Sequence, residues 1–326
     1  MSSTTARPRL ILHVGTHKTG TSALQAALGG ARDALLHDHG LLYADTRRPP
    51  WPDLPKHCSV YQAAAHGDAA AQARERELLL AEFEASRATT LLLSEEGLSE
   101  PDDRVLRFFE PLAQRFDIKV LCFLRRQDLF VEALFNQFVR ESARRESRPI
   151  LTFARAPATR ARLDYHALLS RWATLGARVQ ALDFDGPAVR GPGLMAAFES
   201  ALGLSAIGLP DQRANPTPDM RLALLLNRMN RLRVPYELTP LLHATRALTQ
   251  GGLPAMRHLL GGDERRRLLA EFDASNERLA SEYGVRFSTE LPANEPACAV
   301  EDLDAGFTLQ LLGGLSQARS PVGAAA

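Results

Sequence analysis

The stretch LILHVGTHKTGTSALQAAL, which begins at Leu10, places a turn rich in glycine and threonine between an apolar run and an amphipathic run. A strand, such a turn and a helix make a phosphate-binding loop, because the turn and the positive end of the helix direct N–H groups at one anion. The nucleoside triphosphate form of this loop follows G-x-x-x-x-G-K-[ST]. Gly15, Gly20 and Ser22 fit that spacing, but Thr21 occupies the lysine position.

The lysine of this turn, Lys18, lies three residues before the usual position. A magnesium-dependent kinase needs its lysine on the β- and γ-phosphates and its Ser or Thr on the metal. A donor whose single phosphate bears a sulfuryl group has no γ-phosphate and needs no metal. From the middle of the loop Lys18 would reach the transferred group, while Thr19, Thr21 and Ser22 would supply hydroxyl donors. The position of the lysine therefore favours a phosphosulfate donor.

A second segment, VLCFLRRQDLFVEALFNQFVR, begins at Val120 and ends a predicted strand in Arg125. With HVGTHKTGTSALQ, it resembles sulfotransferases that use 3′-phosphoadenosine 5′-phosphosulfate (PAPS). The resemblance is closest to a bacterial branch with the pattern H-x-G-x-x-K-T-G-T-[ST]-x-[LI]-Q. In that family the arginine and a serine eight residues later bind the 3′-phosphate. Here the serine position is Ala133, and Arg126, Arg140 and Arg144 are candidates to compensate for it.

The resemblance implies a PAPS donor and no required metal. It also implies a PAPS-binding site made from one loop and one strand end. Within that loop we expect His17 either to donate a hydrogen bond to the phosphate or to fix the shape of the loop. The implied donor-binding residues are Gly15, Thr16, His17, Lys18, Thr19, Gly20, Thr21, Ser22 and Arg125.

Sulfuryl transfer is an in-line displacement that needs stabilisation of the leaving bisphosphate and a base for the acceptor proton. We assign leaving-group stabilisation to Lys18. Glu96, in TLLLSEEGLSE, follows a predicted strand and is in register with an S-x-E of the bacterial family. It is one candidate base, and the alternative is that it is a solvated residue.

His57, in the loop LPKHCSVYQA, is the second candidate base, because an imidazole titrates near neutrality. The alternative is that His57 is a histidine of a surface loop. We assign no role to the remaining histidines His13, His166 and His243.

Short apolar runs alternate with helical patterns along the chain, which predicts βαβ crossovers and a parallel sheet covered on both faces. The predicted strands are Leu10–Val14, Thr89–Leu93, Ile118–Leu124 and Val179–Phe184, and the predicted helices include Gln127–Glu141, Asp164–Leu175, Asp219–Leu232 and one long helix with Leu268, Phe272, Leu279 and Tyr283 on one face. The fold class is therefore α/β: a three-layer sandwich with a mostly parallel central sheet, a P-loop-like phosphate cradle and a C-terminal helical elaboration. We expect one domain over residues 8–290, with a helical lid at 215–260, and a C-terminal extension at 291–326 with a disordered end.

The chain has 326 residues, is 45% hydrophobic and has a net charge of +1. This balance gives no reason to expect nucleic acid as a partner, and we interpret the arginines at 265–267 as a solvated helix face. Three widely spaced cysteines argue against disulfides and zinc. No secretory signal or transmembrane run is evident, so we expect a cytoplasmic protein.

These features predict a PAPS-dependent sulfotransferase that acts on a hydroxyl or amine of a small molecule, saccharide or lipid. A P-loop kinase that uses ATP and magnesium, with Glu95 or Glu96 organising the metal, is one alternative. A protein that binds a nucleotide or phosphate without catalysis is another. The acceptor and the oligomeric state, including a homo-oligomer, stay open.

Overall fold

The computed structural model describes residues 7–204, 207–210, 219–290 and 297–319. The strands are β1 (Arg9–His13), β2 (Leu41–Tyr43), β3 (Thr90–Ser94), β4 (Asp117–Leu124) and β5 (Arg178–Asp183). The helices up to β5 are α1 (Thr21–Gly30), α2 (Arg32–His39), α3 (Cys58–His66), α4 (Ala69–Ser86), α5 (Asp103–Arg115), α6 (Gln127–Arg140), α7 (Ile150–Arg155), α8 (Pro157–Leu163) and α9 (Tyr165–Ala173). Those after it are α10 (Pro187–Arg190), α11 (Leu194–Leu202), α12 (Met220–Arg231), α13 (Leu238–Gln250), α14 (Gly262–Ala270), α15 (Asp273–Tyr283) and α16 (Ala305–Arg319). Short 3₁₀ turns occupy Glu96–Ser99 and Val300–Asp302.

The sheet has five parallel strands in the order β2-β3-β1-β4-β5. The chain leaves β1 towards β2 and β3 on one side, whereas it leaves β4 towards β5 on the other. The carboxyl ends of β1 and β4 are therefore adjacent at the point where the strand order reverses. This is the place where open α/β sheets bind their ligands. The α/β class with a parallel central sheet is confirmed.

Both faces of this sheet are covered, because alternate residues of each strand belong to different cores. Leu10 and Leu12 pack in one core, with residues of α3, α5 and α9. Ile11 and Phe123 pack in the other, with residues of α1, α2 and α11. Strands buried on both sides have nearly continuous apolar sequences, which is why they could be predicted.

The chain divides into two compact units. The first comprises the described parts of 1–126, 161–214 and 272–288, and contains the whole sheet. The second comprises 127–160 and the described parts of 215–271 and 289–326, and is helical apart from one bridge between His258 and Ala297. The lid predicted at 215–260 falls in the second unit, and its residues 215–218 lie outside the described residues. The division into one domain with an extension stays a prediction.

Four expectations differ from the structure. The three-residue strand β2 was not predicted, and the long helix expected through Leu268 and Tyr283 is two helices, α14 and α15, separated at Glu271–Phe272. The arginines at 265–267 are not all solvated: the Arg265 side chain is 3% exposed, because it pairs with Asp128. At the C-terminus α16 continues to Arg319, into the stretch expected to be disordered; residues 320–326 lie outside the described residues.

The three cysteines, Cys58, Cys122 and Cys298, are free and buried. Among the described residues, no helix is long and apolar enough to cross a membrane.

Candidate functional site

The loop after β1 is held against β4 by main-chain and side-chain hydrogen bonds. The N–H of Val14 donates to the Leu121 carbonyl at 3.0 Å, and Thr16 Oγ1 donates to the Phe123 carbonyl at 2.9 Å. The buried Thr19 hydroxyl donates to the Thr16 carbonyl at 2.7 Å. The hydroxyls of Thr16 and Thr19 therefore fix the shape of the loop. The expectation that Thr19 supplies a hydroxyl to a phosphate is not met in this geometry, because that hydroxyl is engaged inside the loop.

The loop turns into α1 through two residues in the left-handed region. Lys18 has φ 67° and is exposed, and Gly20, the N-cap of α1, has φ 76°. Within the described part of the chain, the main-chain N–H groups of 19–22 have no hydrogen-bond acceptor. Thr21 Oγ1 is buried and also has no partner there. A row of N–H groups and a hydroxyl at a helix N-terminus, beside an exposed ammonium group, fits an anion such as a phosphate.

Gly15 permits close packing at the start of the loop. A Cβ atom there would lie 2.6 Å from Thr21 Oγ1 and 2.9 Å from His13 Nε2, so no larger residue fits without a shift of its neighbours. The fully buried His13 ring bonds through Nδ1 to Ser94 Oγ at 2.8 Å. Burial lowers the pKa of His13 to about 4, so the ring is neutral at neutral pH. His13 links the ends of β1 and β3.

His17 projects from the loop towards an acidic partner. Its Nε2 lies 3.4 Å from Glu100 Oε1, and Arg162 pairs with the same carboxylate at 2.6 Å. Burial would raise the Glu100 pKa, but the bonds with His17 and Arg162 lower it to about 2. His17 is thus held by a permanently ionised carboxylate, which orients its ring.

Arg125 follows directly after β4 and is oriented by an acidic partner. Its Nε donates to Asp185 Oδ2 at 2.8 Å, and its guanidinium lies 5.7 Å from the centre of the Phe184 ring. The Tyr165 hydroxyl donates to the Arg125 carbonyl at 2.6 Å. The Arg125 side chain is 25% exposed. It is therefore positioned at the sheet's reversal point while part of the guanidinium faces solvent.

The residues considered as replacements for a serine at Ala133 have other partners. Arg126 is buried and donates to the Ser288 carbonyl at 2.8 Å. Arg140 donates to the Asn136 carbonyl, and Arg144 pairs with Glu141 in the turn that follows α6. These interactions favour none of the three as a replacement.

Glu96 begins the 3₁₀ turn after β3 and has two side-chain partners. Lys56 Nζ lies 2.6 Å from Glu96 Oε1, and Gln25 Nε2 donates to Glu96 Oε2 at 3.1 Å. Burial acts to raise the Glu96 pKa, but Lys56 and Gln25 lower it below the ordinary value. The Glu96 side chain is 17% exposed. Glu96 is an ionised carboxylate with some access to solvent. Its hydrogen bond from Gln25 connects it to α1, the helix that follows the candidate phosphate-binding loop.

Glu95 is the more deeply buried of the two neighbouring glutamates. Its Oε1 accepts from the Gly97 N–H at 3.0 Å and lies 3.3 Å from Lys56 Nζ, whereas Oε2 has no partner among the described residues. Burial, and then the charge of Glu96, raise the Glu95 pKa. Neither glutamate is the fully solvated residue that was the alternative interpretation.

His57 is fully enclosed and both of its ring nitrogens are bonded to the main chain. Nδ1 accepts from the Ser94 N–H at 2.9 Å, and Nε2 lies 3.1 Å from the Ala44 carbonyl. Burial lowers the pKa of His57 to about 4. This environment does not suit a general base, because the ring has no nitrogen left for an acceptor molecule. His57 instead connects Ser94, the last residue of β3, with the segment after β2.

Gln25, Lys56 and Asp185 were not singled out from the sequence, although each touches a predicted site residue. Gln25 could have been found, because it is the last position of the pattern H-x-G-x-x-K-T-G-T-[ST]-x-[LI]-Q. Lys56 and Asp185 carry no such signal.

The chain is similar in structure to at least one solved protein. The crystal structure of a sulfotransferase from Alicyclobacillus acidocaldarius matches with a TM-score of 0.39 and 19% sequence identity, over 70% of this chain and 95% of that one. No protein-family model and no curated protein matches the chain. We therefore base the proposed function on the residues of this chain.

Proposed function

We propose that this protein is a sulfotransferase that moves a sulfuryl group from PAPS to a hydroxyl or amine of a small molecule, saccharide or lipid. The main support is the group of N–H groups at 19–22 and the Thr21 hydroxyl, which have no partner among the described residues and lie beside the exposed Lys18. These donors lie at the carboxyl end of β1, where its neighbour β4 leads into Arg125. The pattern H-x-G-x-x-K-T-G-T-[ST]-x-[LI]-Q in the same segment supports sulfate over phosphate as the transferred group.

The loop would hold the 5′-phosphosulfate end of the donor. PAPS supplies an activated sulfuryl group, whose bond to the bridging oxygen breaks while a bond from sulfur to the acceptor oxygen or nitrogen forms. The N–H groups of 19–22 and the Lys18 ammonium group would stabilise the negative charge that develops on the leaving 5′-phosphate. Gly15, Thr16 and Gly20 keep the loop in the required shape, and the Ser22 hydroxyl is a further donor.

Arg125 would bind the 3′-phosphate and so distinguish PAPS from ATP. Its bond to Asp185 fixes the direction of the guanidinium, and a charge-assisted bond to a phosphate is stronger than a neutral one. Because Ala133 offers no hydroxyl, the arginine contributes a larger share of this recognition than it would beside a serine.

Of the two candidate bases we propose Glu96. It is ionised at neutral pH and partly exposed, and Gln25 holds it to the helix that follows the loop. It would take the acceptor proton as the acceptor attacks sulfur. We propose a structural role for His57, whose ring holds the end of β3 to the segment after β2.

Calorimetric titration with adenosine 3′,5′-bisphosphate and with ATP plus magnesium tests the proposal. We expect the bisphosphate to bind without metal at micromolar affinity or better, about −8 kcal/mol. Lys18→Ala and Arg125→Ala should each weaken it at least tenfold, while Arg107→Ala, at an exposed position of α5, leaves it unchanged. Binding of ATP with magnesium alone would instead indicate a kinase. Binding of neither ligand would contradict a nucleotide site altogether.

Glu96→Gln separates an enzyme from a protein that only binds. We expect this variant to bind the bisphosphate like the wild type and to lose most of its turnover with PAPS and an acceptor. Equal turnover in the two proteins would remove Glu96 as the base.

A further inference from the structure

The second unit contains a half-open cavity of about 430 Å³, which the proposed function does not use. Pockets that hold small molecules have volumes of about 300–1,000 Å³. The lining residues come from α6, the start of α7, α12 and two later segments, and all belong to this one unit. Most of them are apolar: Phe135, Pro149, Ile150, Leu224, Leu232 and Leu259.

Two arginines, Arg228 and Arg231, also line this cavity. They lie three residues apart in the last turn of α12, so they share one side of the helix. Both are exposed, and neither guanidinium group has a hydrogen-bond or ion-pair partner in the part of the chain that the structure describes. Most other arginines of this unit do have partners; Arg221, in the same helix, pairs with Asp219. Two positive charges without a partner among the described residues therefore lie at a mostly apolar cavity.

The surface at the end of α12 is also apolar. Leu232, which follows the second arginine and lines the cavity, is 71% exposed, and Val234 is 39% exposed. Exposed apolar surface next to a cavity is typical of a binding site, because the apolar atoms of a ligand would shield it from water. An apolar cavity with two arginines at it fits a ligand that has an apolar body and a negatively charged end.

We propose that this cavity binds a single-chain anionic amphiphile, an alkyl or acyl chain that ends in a carboxylate, sulfate or phosphate. The chain would occupy the space between Phe135, Ile150 and Leu224, and the anionic end would pair with Arg228 and Arg231. Carboxylates and phosphates are the partners that guanidinium groups bind best. The ligand is a free molecule and not the surface of a bilayer, because the site is an inlet lined by five segments of the chain. This inference is independent of the proposed function.

Three probes separate the parts of the proposed ligand. Decanoate has both the alkyl chain and the negative charge, decan-1-ol has only the alkyl chain, and acetate has essentially only the charge. We expect calorimetry to show decanoate binding and no measurable acetate binding. The double variant Arg228→Gln/Arg231→Gln should bind decanoate at least tenfold more weakly and decan-1-ol unchanged. Arg246→Gln removes an exposed arginine of α13 that does not line the cavity, and should bind decanoate like the wild type.

Leu224→Phe, which adds volume to the wall of the cavity, should weaken the binding of both decanoate and decan-1-ol. Circular dichroism and thermal unfolding of every variant show whether it is folded. Titration with adenosine 3′,5′-bisphosphate tests the proposed nucleotide site separately. If the bisphosphate does not bind, the measurement of decanoate binding to the cavity is still valid.

Three results would overturn the proposal. The first is a wild-type protein that does not bind decanoate, and the second is equal decanoate binding by the wild type and the double arginine variant. The third is arginine-dependent recruitment to phosphatidylglycerol vesicles without decanoate binding, which would mean that these arginines contact a bilayer.

Discussion

Lys56 and Glu96 form an ion pair, with Nζ 2.6 Å from Oε1, that joins the loop before α3 to the turn after β3. The lysine also lies 3.3 Å from the buried Glu95. One ammonium group therefore compensates two adjacent carboxylates, and its charge opposes the effect of burial on the Glu96 pKa. The protonation of the proposed base depends on a residue 40 positions away in the sequence.

Replacing Lys56 should change the pH dependence of the reaction. In Lys56→Met the Glu96 pKa rises, because burial is no longer opposed by the lysine charge. A base must be deprotonated to act, so the acidic limb of the rate profile should move to higher pH, by about 1–3 units. Lys56→Arg, which keeps the charge, should leave the limb near its wild-type position. Turnover measured from pH 8 down to below the ordinary glutamate pKa of about 4.3 checks this, and an unmoved limb in the methionine variant would argue against Glu96.

Two glycines at opposite ends of the first loop–helix segment should respond differently to alanine. Gly15→Ala puts a Cβ 2.6 Å from Thr21 Oγ1, and its neighbours must move. We expect at least a tenfold loss of bisphosphate affinity. Gly30 ends α1 with no atom within 4 Å of an added Cβ. Gly30→Ala should keep the affinity and stabilise the fold by about 0.5–1 kcal/mol. Calorimetry and urea unfolding measure the two effects, and similar behaviour of both variants would refute a special role for Gly15.

The sheet and the loop were largely predictable because their signals are local. Three of the four predicted strands, β1, β3 and β4, are nearly continuous apolar runs next to turns, as burial on both faces requires. The fourth, β5, is more polar and only partly buried. The strand β2 was missed because its three residues, Leu41–Tyr43, are too few to form a pattern. The break between α14 and α15 was missed for a different reason. The apolar period continues from Leu268 to Leu279, although the chain leaves the helix at Glu271–Phe272.

The partners of the charged residues could not be predicted, because they depend on contacts between distant segments. His57 looked like a loop histidine, yet folding places it between two main-chain segments and removes its free nitrogens. Arg265 looked like its exposed neighbour Arg266, and only the packing of α14 against α6 distinguishes them. The candidate phosphate-binding loop could be predicted from a sequence motif, whereas the pKa values of the candidate bases depend on tertiary contacts.

The buried His57 ring should make stability depend on pH in a defined window. Its pKa is about 4 in the folded state and near 6.5 in the unfolded chain. Between these values the unfolded state binds a proton that the folded state does not, so stability falls as the pH falls. The slope is about 1.4 kcal/mol per pH unit for each such histidine.

His13, with the same shift, should contribute a second, equal slope. Urea unfolding between pH 6.5 and pH 5 should therefore show a shallower pH dependence for His57→Gln than for the wild type. His243→Gln, at an exposed position of α13, should retain the full wild-type slope. Equal slopes in all three proteins would contradict a neutral buried His57.

Arg265 and Arg266 are adjacent in α14 but differ in environment, which makes them a matched pair for the second unit. Arg265 Nη1 lies 2.6 Å from Asp128 Oδ2 and its Nη2 lies 2.8 Å from Glu132 Oε1, and all three side chains are almost completely buried. Arg266 pairs with Asp263 at the surface, where its side chain is 64% exposed.

Removing Arg265 takes the guanidinium partner away from two buried carboxylates, and a buried ion pair that loses one partner costs about 3–5 kcal/mol. Arg265→Ala should therefore lower the free energy of unfolding by roughly this amount. Arg266→Ala removes a solvated pair and should change it by less than about 1 kcal/mol. Urea unfolding at neutral pH compares the two variants directly. If Arg265→Ala were as stable as Arg266→Ala, the buried pairs of α6 and α14 would not stabilise this unit.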